Sequence, residues 1–235
     1  MNLQSVSKNK TIIITGASRG IGKEVVVQLS KNKFHKIYAL SRNLNKMNQS
    51  FNHLTNVTCV SFDLNGNIEE QLEEIVRKEE SIDVLINNAG LLINKEFNKL
   101  TSKDLLLSYQ VNVFGVIKTI QQCYPKLNKS SHIVNISSIG GYQGSVKFAG
   151  LAAYSSAKAA ICNITEILAE EYKESGIKIN CLCLGAVQTE MLEEAFPDYL
   201  APTKPDEMAQ FISDFALTGS KFFNGKIIPV SISTP

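Results

Sequence analysis

Short runs of β-branched residues alternate along the chain with longer amphipathic stretches, and this alternation limits the possible fold more than any other feature. Thr11–Thr15 reads Thr-Ile-Ile-Ile-Thr, a continuous apolar run expected of a strand covered on both faces. Comparable runs follow at 36–40, 57–62, 83–86, 132–136, 177–184 and 226–230. Helical patterns fill the intervals at about 20–30, 68–80, 102–126, 152–173 and 206–217. Parallel strands need crossovers of this length. The spacing therefore predicts a doubly wound α/β fold, a parallel sheet of about seven strands with helices on both faces. No Pro/Gly/Ser-rich linker, repeat or low-complexity block breaks the pattern. Residues 1–235 are expected to form one domain, with 1–9 as a flexible N-terminal tail.

The composition (44% hydrophobic, 20% charged, 8% aromatic) is that of an ordinary globular protein, and 235 residues can bury enough surface to need no disulfide or metal. A net charge of +2 gives no electrostatic footprint, so neither nucleic acid nor a membrane is an expected partner. Residues 1–10 have no apolar core of a signal peptide, and no apolar run approaches the roughly 18 residues of a span. The five cysteines (Cys59, Cys123, Cys162, Cys181 and Cys183) are odd in number and sit in apolar contexts, which points to a reducing cytoplasm. Cys181 and Cys183 share one face of a strand. No accompanying Cys or His cluster is legible, so they read as small buried hydrophobes and no metal is expected.

Sheets of this kind bind ligands beyond the carboxyl ends of their strands. After the first strand, residues 15–22 read Thr-Gly-Ala-Ser-Arg-Gly-Ile-Gly and lead straight into a helix. Gly16, Gly20 and Gly22 would let backbone approach a pyrophosphate, with Ser18, Arg19 and Ile21 between them. A bare tight turn needs glycine too, but its position between strand and helix favours a nucleotide. After the second strand comes Ser41-Arg42-Asn43, with no carboxylate to accept from a ribose 2′-OH. Arg42 and Arg19 instead suit a 2′-phosphate, hence NADP(H) over NAD(H), unless both are merely surface arginines.

Asp63 and Leu64 follow the third strand; Asp63 either accepts from an adenine amino group or caps the helix near Asn67. Asn87, Asn88, Ala89 and Gly90 follow the fourth, where the amides need hydrogen bonds and the small residues leave room for a cofactor. Ser137 and Ser138 follow the fifth. Tyr154 and Lys158 then lie one turn apart on one helix face. A tyrosine hydroxyl of ordinary pKa, about 10, is too weak a base at neutral pH, and a nearby cation lowers it. Alone, that spacing is a common accident.

Taken in order, the T-G-x-x-x-G-I-G at 15–22, the N-N-A-G at 87–90 and the Y-x-x-x-K of Tyr154 and Lys158 resemble the short-chain dehydrogenase/reductase family, over about residues 10–230. The resemblance implies a Rossmann-type oxidoreductase using NADP(H) to interconvert a small-molecule carbonyl compound and its alcohol. Tyr154 would be the proton donor, with Lys158 depressing its pKa and holding the nicotinamide ribose. Ser138 would hydrogen-bond the substrate oxygen, and Asn112 would hold a water linking Lys158 to solvent. Val187 and Thr189 would meet the nicotinamide amide and the phosphates. Relatives of this kind assemble as homo-oligomers, dimers or tetramers, through their long helices. A non-catalytic NADP-binding sensor is the alternative, against which the complete proton-relay set argues.

Four departures from the family pattern bear on specificity or assembly. Ser138 and Tyr154 are 16 positions apart, longer than is usual, so residues 140–150 should form a loop over the substrate. Tyr142, Gln143, Lys147 and Phe148 in it are candidate specificity residues. Leu184-Gly185 replaces the family's Pro-Gly, and a short stretch after Thr189 implies a short lid over a small or open pocket. The C-terminal Asp-Gly-Gly is also replaced, which bears on a subunit contact.

Overall fold

Ile12, Ile13 and Ile14 are fully buried because β1 (Thr11–Thr15) is flanked on both edges and covered on both faces. It pairs in parallel with β2 (Lys36–Ser41) on one side and β4 (Val84–Asn87) on the other. The computed structural model describes residues 9–232, so the expected tail at 1–9 lies outside them apart from Asn9, as do 233–235. With β3 (Val57–Ser61), β5 (His132–Ser138), β6 (Lys178–Leu184) and β7 (Ile227–Val230), the sheet has seven parallel strands in the order β3-β2-β1-β4-β5-β6-β7. The expected fold class is thus found. Chain connections leave β1 and β4 in opposite directions, which opens a crevice at their carboxyl ends.

Alternation along each strand builds the two cores. Ile12 and Ile14 face α1 (Gly20–Ser30), α2 (Leu44–Phe51) and α8 (Pro205–Thr218), while Ile13 faces α3 (Ile68–Lys78), α5 (Gly115–Cys123) and α6 (Ala152–Glu171). Each fully buried isoleucine contributes roughly 1.5–3 kcal/mol, so the central strands anchor the whole fold. Polar groups also penetrate the first of these cores, among them His132 and Asn180. His132 donates from Nδ1 to the Ala216 carbonyl at 3.0 Å and accepts from Asn180 Nδ2 at 3.0 Å, tying β5 to α8 and β6. Burial, partly offset by the Ala216 carbonyl, pushes its pKa down to about 4, so it is neutral.

Two expectations about helices are corrected. The stretch 102–126 is not one regular helix. It comprises α4 (Ser102–Tyr109), a wide π turn (Gln110–Phe114), α5 and a short 3-10 turn (Tyr124–Lys126). Asn112 supplies the reason: its Nδ2 donates to the Ser108 carbonyl at 2.9 Å, competing with the ladder bond that a regular α turn would make there. Secondly, Asp63 does not cap α3. Asn67 does, through its Oδ1 and the Glu70 N–H, while Asp63 Oδ1 accepts from the Asn65 N–H within its own turn. Two further helices escape the sequence pattern, α2 and the short α7 (Glu190–Ala195), capped by Asn43 and Thr189. Among the described residues, no helix is long and apolar enough to cross a membrane.

Candidate active site

The glycine turn is braced from the end of β4. Gly16 has φ 74°, and a Cβ there would come within 2.7 Å of Ala89 Cα, so only glycine allows this close approach. Asn88 Nδ2 donates to the Thr15 carbonyl at 3.1 Å and to the Gly16 carbonyl at 3.3 Å, and the Ala89 N–H donates to Thr15 Oγ1. Asn87 points elsewhere, into a buried chain: its Nδ2 donates to Asn135 Oδ1, and Asn135 Nδ2 donates to Thr165 Oγ1. Asn88 thus braces the turn, whereas Asn87 is paired only through its Nδ2 and its buried Oδ1 has no hydrogen-bond partner among the described residues. At the start of α1 the Arg19 side chain makes no cap bond and the first turn carries no acidic residue, which leaves a positive dipole end toward the crevice.

The residues expected at the site converge on one cavity of about 580 Å³ at the carboxyl ends of the strands. Gly16, Ser18, Arg19, Gly20, Ile21, Gly22 and Arg42 line one end of it, with Asp63 and Leu64. Asn88, Ala89 and Gly90 form its middle, and Ser138, Tyr154, Lys158, Val187 and Thr189 line it further on. Arg42 is exposed and makes no ion pair among the described residues. Arg19 is different. Both of its terminal nitrogens donate to the Glu194 carboxylate on α7, the second at 3.1 Å, so it is not a free cation. Of the expected catalytic and cofactor residues, Asn112 lies outside the cavity lining. It lies behind Gly90, accepting from the Leu91 N–H and donating to the Leu91 and Ser108 carbonyls.

The end of β5 separates the two serines. Ser137 Oγ donates to the Lys158 carbonyl at 2.8 Å and so braces α6, whereas Ser138 Oγ accepts from the Gly140 N–H at 3.2 Å and lines the cavity with Tyr154, whose pKa it lowers. Lys158 Nζ donates to the Ile136 carbonyl at 2.9 Å and lies 5.8 Å from the centre of the Tyr154 ring. Gly90 must be small here, because a Cβ would come 3.1 Å from Asn112 Oδ1 and 3.3 Å from Lys158 Nζ.

The protein's own electrostatics differ from the expected depression of the tyrosine. Desolvation at the cavity wall pushes Tyr154 up to about 12, with the neighbouring Ser138 opposing it. Burial pushes Lys158 down to about 8, against the nearby cysteines. Removing water from both groups therefore outweighs their mutual effect, and Tyr154 is held as the protonated phenol.

Of the four candidate specificity residues, Phe148 lines the main cavity, while Tyr142 packs against the core. The apolar wall at this end (Leu91, Leu92, Leu107, Val111, Leu151, and from the α7 segment Met191, Leu192, Phe196 and Tyr199) was not legible beforehand. The lid is tied down by Asn94 Nδ2, which donates to the Ala195 carbonyl, and by the Gln188 N–H, which donates to the Thr203 carbonyl, while the 140–150 loop is held by the Lys95 N–H donating to the Gly150 carbonyl. The cysteine reading also needs correcting. Cys181 and Cys183 do have a companion, Cys162 on α6, because the helix crosses the strand face they share.

The family model for short chain dehydrogenases matches residues 10–200. An uncharacterized oxidoreductase of Staphylococcus saprophyticus is 34% identical over 88% of this chain and 89% of its own length. An acetoacetyl-CoA reductase of Shinella zoogloeoides is 30% identical over 94% and 96%. Among solved structures, a putative short chain dehydrogenase from Escherichia coli CFT073, complexed with NADPH, superposes with a TM-score of 0.84 at 25% identity, covering 94% of this chain and 96% of that one. A glycine turn braced by Asn88, a cavity along the strand ends and a Ser138–Tyr154–Lys158 cluster agree with that likeness, and the chain belongs to the short-chain dehydrogenase/reductase family of oxidoreductases.

Proposed function

We propose that the protein is an NADP(H)-dependent reductase that interconverts a carbonyl compound and its alcohol, with Tyr154 as the proton donor. The observation that carries this reading is the convergence of Ser138, Tyr154 and Lys158 in the cavity that begins at the glycine turn. The residues present fit a dinucleotide: the uncapped start of α1 suits a pyrophosphate, and Gly90 keeps the floor beside Lys158 open. Thr189 stands close to Gly20, where an added Cβ would come 3.2 Å from Thr189 Cγ2, and both line the cavity with Val187, which supports Thr189 and Val187 as further cofactor contacts. The absence of a carboxylate after β2, with Arg42 exposed there, supports the 2′-phosphorylated form of the cofactor. That cofactor, when bound, supplies the hydride.

The chain's own residues supply the rest. Ser138 and Tyr154 line the same cavity wall, where a substrate carbonyl oxygen would accept from both hydroxyls. Tyr154, protonated at neutral pH, gives its proton to that oxygen as negative charge develops. Lys158 keeps an ammonium one turn away, stabilising the phenolate left behind. The apolar wall favours a substrate with an apolar body next to its carbonyl. Leu106, Phe114 and Ile167 stand exposed on the outward side of α4 to α6 and support association of copies into a dimer or tetramer. The five free cysteines accord with a reducing cytoplasm.

The test is oxidation of NADPH by the purified protein over a panel of apolar ketones, diketones and 3-oxoacyl thioesters. Turnover on at least one class is expected. Tight NADPH binding with no oxidation across the panel would overturn the reading in favour of a sensor.

A further inference from the structure

We propose that Cys162, Cys181 and Cys183 form a three-thiolate binding site for a thiophilic d10 cation, Zn²⁺ or Cu⁺, beneath the catalytic turn of α6. Cys181 and Cys183 are two apart on β6, so their sulfurs emerge on one face, and α6 lays Cys162 across it. Cys162 Sγ lies 3.9 Å from Cys181 Sγ and 3.5 Å from Cys183 Sγ, and all three sulfurs are within 4.8 Å of one another. Any triangle with those sides has a point about 2.0–2.4 Å from each sulfur, which brackets the roughly 2.3 Å of a zinc–sulfur bond. The sulfurs therefore need little movement to hold such an ion. Soft thiolates in a trigonal set select Cu⁺ and Zn²⁺ over harder cations.

The surroundings also suit an ion. Ser137 Oγ and the Lys158 carbonyl each lie 3.4 Å from Cys162 Sγ, providing a polar second shell in an otherwise apolar core. Ser137 also lines the main cavity, so the cluster lies one side chain behind the cavity wall. Three thiolates around a divalent ion carry one net negative charge, and the buried ammonium of Lys158 faces the same cluster. Binding is a proton exchange without redox change: three S–H bonds break, three metal–sulfur bonds form, and three protons pass to solvent.

The site does not depend on the proposed activity, and its test reads metal binding alone. Reduced, anaerobic full-length protein is titrated with Cd²⁺, whose thiolate complexes absorb in the ultraviolet, and then challenged with Zn²⁺ or Cu⁺. One equivalent per chain is expected, with the band lost in Cys162→Ala and in Cys183→Ala but kept in Cys59→Ala. The ion that displaces Cd²⁺ at the lower concentration is the one the site prefers. X-ray absorption of the wild-type zinc or copper complex gives a readout that needs no variant, a shell of three sulfurs at about 2.3 Å. No band, a band that survives in a folded Cys162→Ala protein, or a shell of nitrogen and oxygen would overturn the proposal.

Discussion

The carboxylate of Glu194, on the helix α7, grips both terminal nitrogens of Arg19 in the glycine turn, 175 positions away. The hydrogen bonds with Glu194 raise the guanidinium's pKa and hold the carboxyl below the usual range. A cofactor 2′-phosphate would compete with Glu194 for the same nitrogens. Glu194→Gln should therefore tighten NADPH binding relative to NADH. The pair is solvent-exposed, so the gain should be modest, roughly two- to fivefold. Calorimetric titration with both cofactors checks it, and an equal change in the two affinities would show that Arg19 does not meet the phosphate.

Arg42 has no such competitor. Arg42→Asp should weaken NADPH by about tenfold or more while NADH changes little, because a carboxylate placed at the end of β2 repels a phosphate and can accept from a ribose hydroxyl. The ratio of the two dissociation constants is the measurement. A parallel loss for both cofactors would remove Arg42 from the site.

The residues at the strand ends were legible because each follows a run of β-branched residues, and a glycine or small residue there has few other uses. Asn112 was legible as a position but not in its action. The π turn it creates follows from a side-chain bond to Ser108 that no periodicity encodes. The α7 helix is only six residues long and carries three glutamates, so it read as a short lid rather than as the counterion of Arg19. Cys162 met Cys181 and Cys183 only through the packing of α6 on β6, a tertiary contact. The apolar wall of the substrate end is assembled from several loops and helices, none of which carries the pattern alone.

His132 makes the fold acid-sensitive. Its pKa is pushed from 6.5 down to about 4 in the folded protein, chiefly by burial. Between those values the unfolded chain binds the proton and the folded chain does not, so stability falls as pH drops from about 6.5 toward 4, by about 3 kcal/mol over the whole window. Urea titrations at several pH values should show this slope, and His132→Asn should flatten it while lowering stability at pH 7. An unchanged slope in a folded variant would place the acid sensitivity elsewhere.

Tyr154→Phe tests the central claim most directly, since it removes one hydroxyl and leaves the ring beside Lys158. Single-turnover oxidation of bound NADPH, measured alongside NADPH affinity, separates chemistry from binding. The account predicts that hydride transfer to substrate falls by at least about a thousandfold while NADPH affinity stays within a few-fold. Turnover retained at near wild-type rate would contradict it.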